Sequence, residues 1–220
     1  DATGWTEETD ILVGREGARC GRRTVICVDD NRLHLLWNGI SGLYYSSAPA
    51  TAAVDPRQWQ APSLVVSAGA LRQTSIAATS DGVLHVVYTQ AYPDTNLMYV
   101  RSEDTGLSWS AAEPISNILP GDNVAPDMAT MIRDSQDMLH VVWMENYPPE
   151  YLGRDLRYAR SQDSGITWTQ PQTLSEPPRG TGWNWQPNIV EDAEGKLHLM
   201  WAGCRTDGVS RCYRSSEDEG

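Results

Sequence analysis

A five-residue pattern that occurs four times constrains this chain more than any other feature. It reads Leu33-His34-Leu35-Leu36-Trp37, Leu84-His85-Val86-Val87-Tyr88, Leu139-His140-Val141-Val142-Trp143 and Leu197-His198-Leu199-Met200-Trp201, and it uses all four histidines. The His-to-His steps are 51, 55 and 58 residues. A second pattern follows each copy: a loose Tyr44-Tyr-Ser-Ser47, then Tyr99-Val-Arg-Ser102, Tyr158-Ala-Arg-Ser161 and Tyr213-Arg-Ser-Ser216. A third, Ser102-Glu-Asp104-Thr-Gly106-Leu-Ser-Trp109, recurs as Ser161-Gln-Asp163-Ser-Gly165-Ile-Thr-Trp168 and starts again at Ser216-Glu-Asp218-Glu-Gly220. A fixed period of this size means stacked supersecondary units.

Each unit reads as four short strands, a to d. Strand a is a run such as Ser75 to Thr79 or Ala129 to Ile132, closed by a turn at Ser80-Asp81-Gly82 or Glu194-Gly195. Strand b is the Leu-His pattern, strand c the Tyr-x-Arg-Ser pattern, and strand d begins at the Trp, as in Trp109 to Ile115. β-Branched and aromatic residues between Gly, Asp, Asn and Pro turns favour strands over helices. The expectation is an all-β fold, a β-propeller of four-stranded antiparallel blades with four repeats. The repeats run approximately over 23–67, 73–117, 126–175 and 186–220, in a single domain or propeller segment spanning 1–220. Residues 4–13, led by Trp5, read as a strand d without its turn and would complete the last blade in a closed ring. Four blades closing alone, an excerpt of a larger ring and a ring completed by another chain all fit this arithmetic.

Composition narrows the partners. With 17 Lys+Arg against 29 Asp+Glu the net charge is −12, which repels nucleic acid and anionic membranes. The longest apolar runs are five-residue pieces such as Leu33 to Trp37, far short of a membrane span. No phosphate-binding Gly loop, His-Glu-x-x-His or Gly-x-Ser-x-Gly is present, so no cofactor is expected.

The repeated residues explain themselves without a ligand. In Ser-x-Asp-x-Gly-x-x-Trp, the Asp accepts from backbone N–H groups two or three residues on, Gly takes a positive φ, and Trp packs beneath the turn. The carboxylates at alternating positions that calcium requires are missing. One His per unit at one strand position would be spread around a ring rather than gathered on a metal, which points to hydrogen bonds between strands. Residues that recur hold the fold; those that do not recur, on one rim, carry function.

The turn element at 102–109, 161–168 and 216–220 resembles the Asp-box, or bacterial neuraminidase, repeat of the sialidase-like β-propellers. The b and c patterns extend that resemblance over essentially the whole chain. It implies a glycan-handling, secreted or surface-exposed protein, with Ser102, Asp104, Gly106, Trp109, Ser161, Asp163, Gly165, Trp168, Ser216, Asp218 and Gly220 on the face opposite any substrate site. Sialidases of this family carry a Phe/Tyr-Arg-Ile-Pro motif, three Arg for the substrate carboxylate, a Tyr–Glu nucleophile and an Asp acid/base. This chain has no Phe and no Arg-Ile-Pro; the nearest counterpart is Arg22-Arg23-Thr24-Val25-Ile26. No catalytic residue carries over by position, and six blades would need about 330 residues.

Function is therefore sought on the rim of d–a and b–c loops. Glu145, Tyr147 and Asp155 form the one cluster suited to acid/base or nucleophile work. Arg22, Arg23, Tyr147, Tyr151, Arg154, Trp183 and Trp185 are candidates for stacking on sugar rings and hydrogen-bonding hydroxyls. Three readings stay open: a non-catalytic module binding glycans or a protein, a sialidase-like glycoside hydrolase or a fragment of one, and a structural segment of a larger extracellular assembly. The four Cys suggest disulfides and an oxidising compartment. Cys204 with Cys212 across one hairpin and Cys20 with Cys27 is one connectivity; a link from Cys20 to the C-terminal blade is the other. Their spacing does not suit zinc.

Overall fold

The computed structural model describes residues 4, 6–12, 24–29, 31–39, 41–67, 71, 73–90, 95–119, 121–122, 124–147, 153–175, 183–205 and 208–216. They fall into two compact units, Asp1–Gly69 and Ala70–Gly220. The first contains one antiparallel sheet, β1 (Thr24–Asp29), β2 (Arg32–Asn38), β3 (Gly42–Pro49) and β4 (Ser63–Ser67), in chain order. Its core is Leu35, Trp37, Tyr44, Ala48 and Trp59. Residues 6–12, expected to supply an outer strand to the last blade, form no strand; Ile11 and Leu12 pack against this core instead.

The second unit contains three sheets of the same meander. They are β5 (Thr74–Ala78), β6 (Leu84–Thr89), β7 (Leu97–Ser102) and β8 (Glu113–Pro114); then β9 (Ala125–Arg133), β10 (Leu139–Tyr147), β11 (Gly153–Ser161) and β12 (Gln172–Thr173); then β13 (Trp183–Glu191), β14 (Leu197–Arg205) and β15 (Gly208–Ser215). These sheets are the blades of a β-propeller. In β2, β6 and β10 the Leu-His strand is buried on both sides, which is why its sequence is apolar apart from the His. In β14 one face is open at Met200. Along β10, Leu139, Val141 and Trp143 join Val87, Leu97 and Tyr99 of the preceding blade. Val142 and Met144 point the other way and join Ile189, Leu197, Leu199 and Trp201 of the following one.

Every histidine bridges two strands, as the repetition suggests. His34, His85, His140 and His198 are each hydrogen-bonded through Nδ1 to the Tyr of the next strand, Tyr45, Tyr99, Tyr158 and Tyr213, at 2.7–2.8 Å. Their Nε2 atoms meet Asp29, Asp134 and Asp192 at 2.7–2.9 Å, while His85 meets Thr79 at 3.0 Å. Both ring nitrogens are thereby satisfied inside the sheet, which a buried imidazole requires. Among the described residues no three His, Cys, Asp or Glu side chains gather to hold a metal.

The Ser-x-Asp-x-Gly turns close as self-contained clips, with one bond more than expected. Asp104 reaches four residues on as well as three, accepting from Ser108 N at 2.8 Å and Ser108 Oγ at 2.5 Å besides the Leu107 N–H, and these bonds hold its carboxyl down at about 2. Ser102 Oγ accepts from Gly106 N at 2.8 Å, and Asp163 and Ser161 repeat both roles. Strand d is also shorter than expected: two residues, Glu113–Pro114 or Gln172–Thr173, starting four residues after the Trp. Hydroxyls replace the missing ladder, with Arg101 N donating to Ser110 Oγ and Arg160 N to Thr169 Oγ1.

The Cys204–Cys212 bridge does not fit. Cys204 lies opposite Val209 and Cys212 opposite Trp201, so the two stand three register positions apart, about 10 Å along the strand. A disulfide needs Cα atoms within about 7 Å. Cys27, opposite His34, carries a free thiol that burial, and then the Asp29 charge, pushes up to about 12. Cys20 lies outside the described residues.

Candidate functional site

The β10–β11 ladder runs from Leu139 opposite Ser161, where the 161–168 turn begins, to Tyr147 opposite Gly153 at the other rim. At that second rim the alternation of a strand puts Trp143, Glu145 and Tyr147 on one face. The register sets Asp155 opposite Glu145 and Arg157 opposite Trp143. The sequence candidates Glu145, Tyr147 and Asp155 are thus brought together. Tyr147 Oη donates to Glu145 Oε2 at 2.9 Å and to Asp155 Oδ2 at 3.2 Å, its single proton serving one at a time. The two carboxylate oxygens are therefore no more than about 6 Å apart.

Two residues that sequence reasoning missed complete the cluster. Trp143 Nε1 donates to Glu145 Oε1 at 3.2 Å, and Arg157 Nε stands 3.5 Å from Glu145 Oε2. The guanidinium is pinned in turn by donation to Pro171 O at 3.2 Å and to the Thr173 hydroxyl. The i, i+2, i+4 spacing of Trp143, Glu145 and Tyr147 was the signal for this shared face; Arg157, just ahead of the Tyr158-Ala-Arg-Ser161 pattern, carried no signal of its own.

Burial sets the electrostatics. Glu145 and Asp155 are only 5% and 3% exposed, whereas Tyr147 is half-buried. Desolvation pushes the Glu145 carboxyl above the usual carboxylate range, although the Arg157 charge pulls it back. The Tyr147 phenol is driven well above its ordinary value, first by burial and then by the Glu145 charge. At neutral pH the cluster presents a protonated phenol.

The inner strands carry a second feature that the sequence did not disclose. β9 bulges opposite Trp143, between Asp127 and Thr130, and β13 bulges between Trp185 and Asn188. Met128 and Gln186 there take φ of 52° and 51°, strained for residues with a side chain. Asp127 Oδ1 accepts from Met128 N at 2.9 Å and so secures the first bulge.

The remaining candidates are dispersed. Trp185, opposite Ala202 on β13, is 36% exposed. Trp183 and Arg154 occupy positions opposite Cys204 and Asn146. Arg22, Arg23, Tyr151, Asp218 and Gly220 lie outside the described residues.

No protein-family model matches the chain, and no curated protein matches it in sequence. Solved structures match it in shape. A Hadza microbial sialidase, Hz136, aligns over 90% of this chain and 44% of its own at 15% identity and a TM-score of 0.61. A polysaccharide lyase of a new family, an ulvan lyase, aligns over 89% and 55% at 11% identity and a TM-score of 0.65. The endo-arabinase from Bacteroides thetaiotaomicron VPI-5482 aligns over 97% and 80% at 16% identity and a TM-score of 0.57. The chain spans 44–65% of the length of the sialidase, the lyase and a Dyadobacter fermentans protein of unknown function. What these matches share with it is the propeller fold.

Proposed function

We propose that this chain is a carbohydrate-binding propeller, extracellular as its resemblance implies, whose sugar site lies on the third-blade rim around Tyr147. The observation that supports it is the buried carboxylate pair. Two carboxylates facing each other out of solvent cost stability, so a site that keeps them has a use for them. The corresponding strand-b positions are Gly39, Gln90 and Gly203, so the pair belongs to this blade and not to the repeat. The sugar-active enzymes among its structural neighbours favour a glycan over a protein ligand.

Binding is favoured over hydrolysis because both Glu145 oxygens are engaged, one by Trp143 and the other by Tyr147 and Arg157. The half-buried phenol, its proton taken by the carboxylates, keeps an oxygen that can accept a hydrogen bond from a sugar hydroxyl. A glycan array followed by calorimetry on the best ligand tests this. Loss of binding in Tyr147→Phe supports the reading; a silent array across neutral and acidic glycans overturns it.

A second reading, a retaining glycoside hydrolase with Tyr147 as nucleophile and Glu145 as its base, is favoured by their 2.9 Å contact. Turnover of an aryl glycoside that disappears in Glu145→Ala would establish it in place of the first.

A further inference from the structure

The candidate site faces a second wall, which belongs to the preceding blade. Ser75 Oγ donates to Met131 O at 3.4 Å and accepts from Met131 N at 3.1 Å, tying the second blade to the third. Ser75 lies opposite Val87 and Met131 opposite Val141, so this bond sets those two valines level across the junction. Two residues nearer the rim, alternation brings Thr89 level with Trp143, whose indole donates to Glu145. Thr89 stands opposite Leu97, which packs in the same cluster as Trp143. Its side chain therefore faces the surface that carries Trp143, Glu145 and Tyr147.

Thr89 is only 1% exposed, yet its hydroxyl has no hydrogen-bond partner among the described residues. The side-chain oxygen of Gln73, whose backbone carbonyl accepts from Thr89 N at 3.0 Å, has none either. The scaffold does not ask for a hydroxyl here, since the equivalent positions in the third and fourth blades are Met144 and Ala202. Leaving a buried polar group unpaired costs stability, and folded proteins keep few of them. Across the junction the acceptors are also in excess. Glu145 and Asp155 share one phenol proton, and Arg157 spends two of its nitrogens on Pro171 O and the Thr173 hydroxyl. The burial that raises the Glu145 carboxyl reflects the same shortage of positive charge.

We infer that the site selects an amino sugar with a free ammonium group, held between Glu145 and Asp155 of the third blade and Thr89 and Gln73 of the second. This rests on the carbohydrate reading and adds to it the class of sugar. An ammonium brings three donors and a charge, where a hydroxyl brings one donor and none. Its bonds to carboxylates are charge-assisted, about twice as strong as those between neutral groups. Thr89 and Gln73 supply acceptors for the remaining donors of the same ring. An acetylated amine loses the charge, and a sugar carboxylate meets like charge.

Calorimetry at physiological salt compares tetramers of glucosamine, N-acetylglucosamine and galacturonic acid. The glucosamine tetramer is expected to bind about tenfold more tightly than the acetylated one, and the uronate most weakly. Glu145→Gln should bring glucosamine and N-acetylglucosamine level. The net charge of −12 attracts any polycation, and Thr89→Val separates that attraction from the site because it changes no charge. Thr89→Val is expected to weaken glucosamine binding about fivefold without lowering the melting temperature. Gln73→Met, at the partly buried end of the wall, repeats the measurement if the valine variant loses its fold. Equal affinity for the free and acetylated amines, or tighter binding of the uronate, overturns the inference and leaves the carbohydrate reading standing. Undiminished glucosamine binding in the folded wall variant overturns it as well. Silence towards all three tetramers also overturns it, and the glycan array then decides the carbohydrate reading by itself.

Discussion

The β10–β11 hairpin carries two polar clusters built from the same kinds of side chain, and they serve opposite ends. Near one rim, Asp134, His140 and Tyr158 form a buried relay with each link at 2.7–2.9 Å. Near the other, Glu145, Tyr147 and Asp155 meet at 2.9–3.2 Å. The relay has a counterpart in each of the other three blades, with Thr79 standing where the second blade lacks the Asp, and each of its groups gains a partner that offsets its burial. The second cluster has no counterpart and crowds two carboxylates on one phenol. Polar burial that repeats is architecture; polar burial that costs stability in one blade alone marks a site.

The largest expected consequence separates the two directly. His140→Ala removes the imidazole that Asp134 Oδ2 and Tyr158 Oη share in the core and should cost about 3 kcal/mol of stability, read by chemical denaturation. The same change at half-buried His198 should cost about 1 kcal/mol. Equal losses would break the claim that burial sets the value of the relay.

The relay of the second blade differs by one residue, Thr79 in place of Asp, and pH should expose it. Burial holds His85 down at about 4, below its usual 6.5. A lowered imidazole contributes stability that is present above pH 6.5 and is lost as pH falls through 4, about 3 kcal/mol at most. His85→Gln should flatten the stability curve between pH 6.5 and 4 while leaving the rest unchanged.

Effects at the site should be smaller and of different kind. Tyr147→Phe should weaken glycan binding about tenfold in calorimetry with little change in melting temperature, since one hydrogen-bonding hydroxyl is lost. Glu145→Gln should weaken binding too, yet at pH 7 it should leave stability unchanged or raise it by up to about 1 kcal/mol. The raised Glu145 carboxyl favours the folded state below its ordinary titration range, and that contribution is lost as pH rises through the folded value. A neutral amide removes this dependence. A clear stability loss in Glu145→Gln would return the cluster to the scaffold.

The blades were legible because each rests on residues that repeat with their partners: the His, the Tyr fourteen or so positions later, and the Trp beneath the next turn. Glu145 and Tyr147 were legible as candidates because alternation along a strand is local. Their partner Trp143 was hidden inside a repeat position, while Arg157 stands just ahead of one; both needed the register to bring them to Glu145. The bulges at Met128 and Gln186 left no mark at all, since neither residue favours positive φ. The cysteines misled because proximity in a hairpin depends on the turn length, and that length placed Val209, not Cys212, across from Cys204.

Every strand pair described in the structure joins strands that are consecutive in the chain, from β1–β2 to β14–β15. Each blade can therefore assemble its hydrogen bonds from one short stretch before the next stretch exists, as it would while emerging from a ribosome. Such local connectivity favours fast folding and opening in blade-sized steps rather than all at once. The blade that opens first should be the one whose outer face has least to hold it.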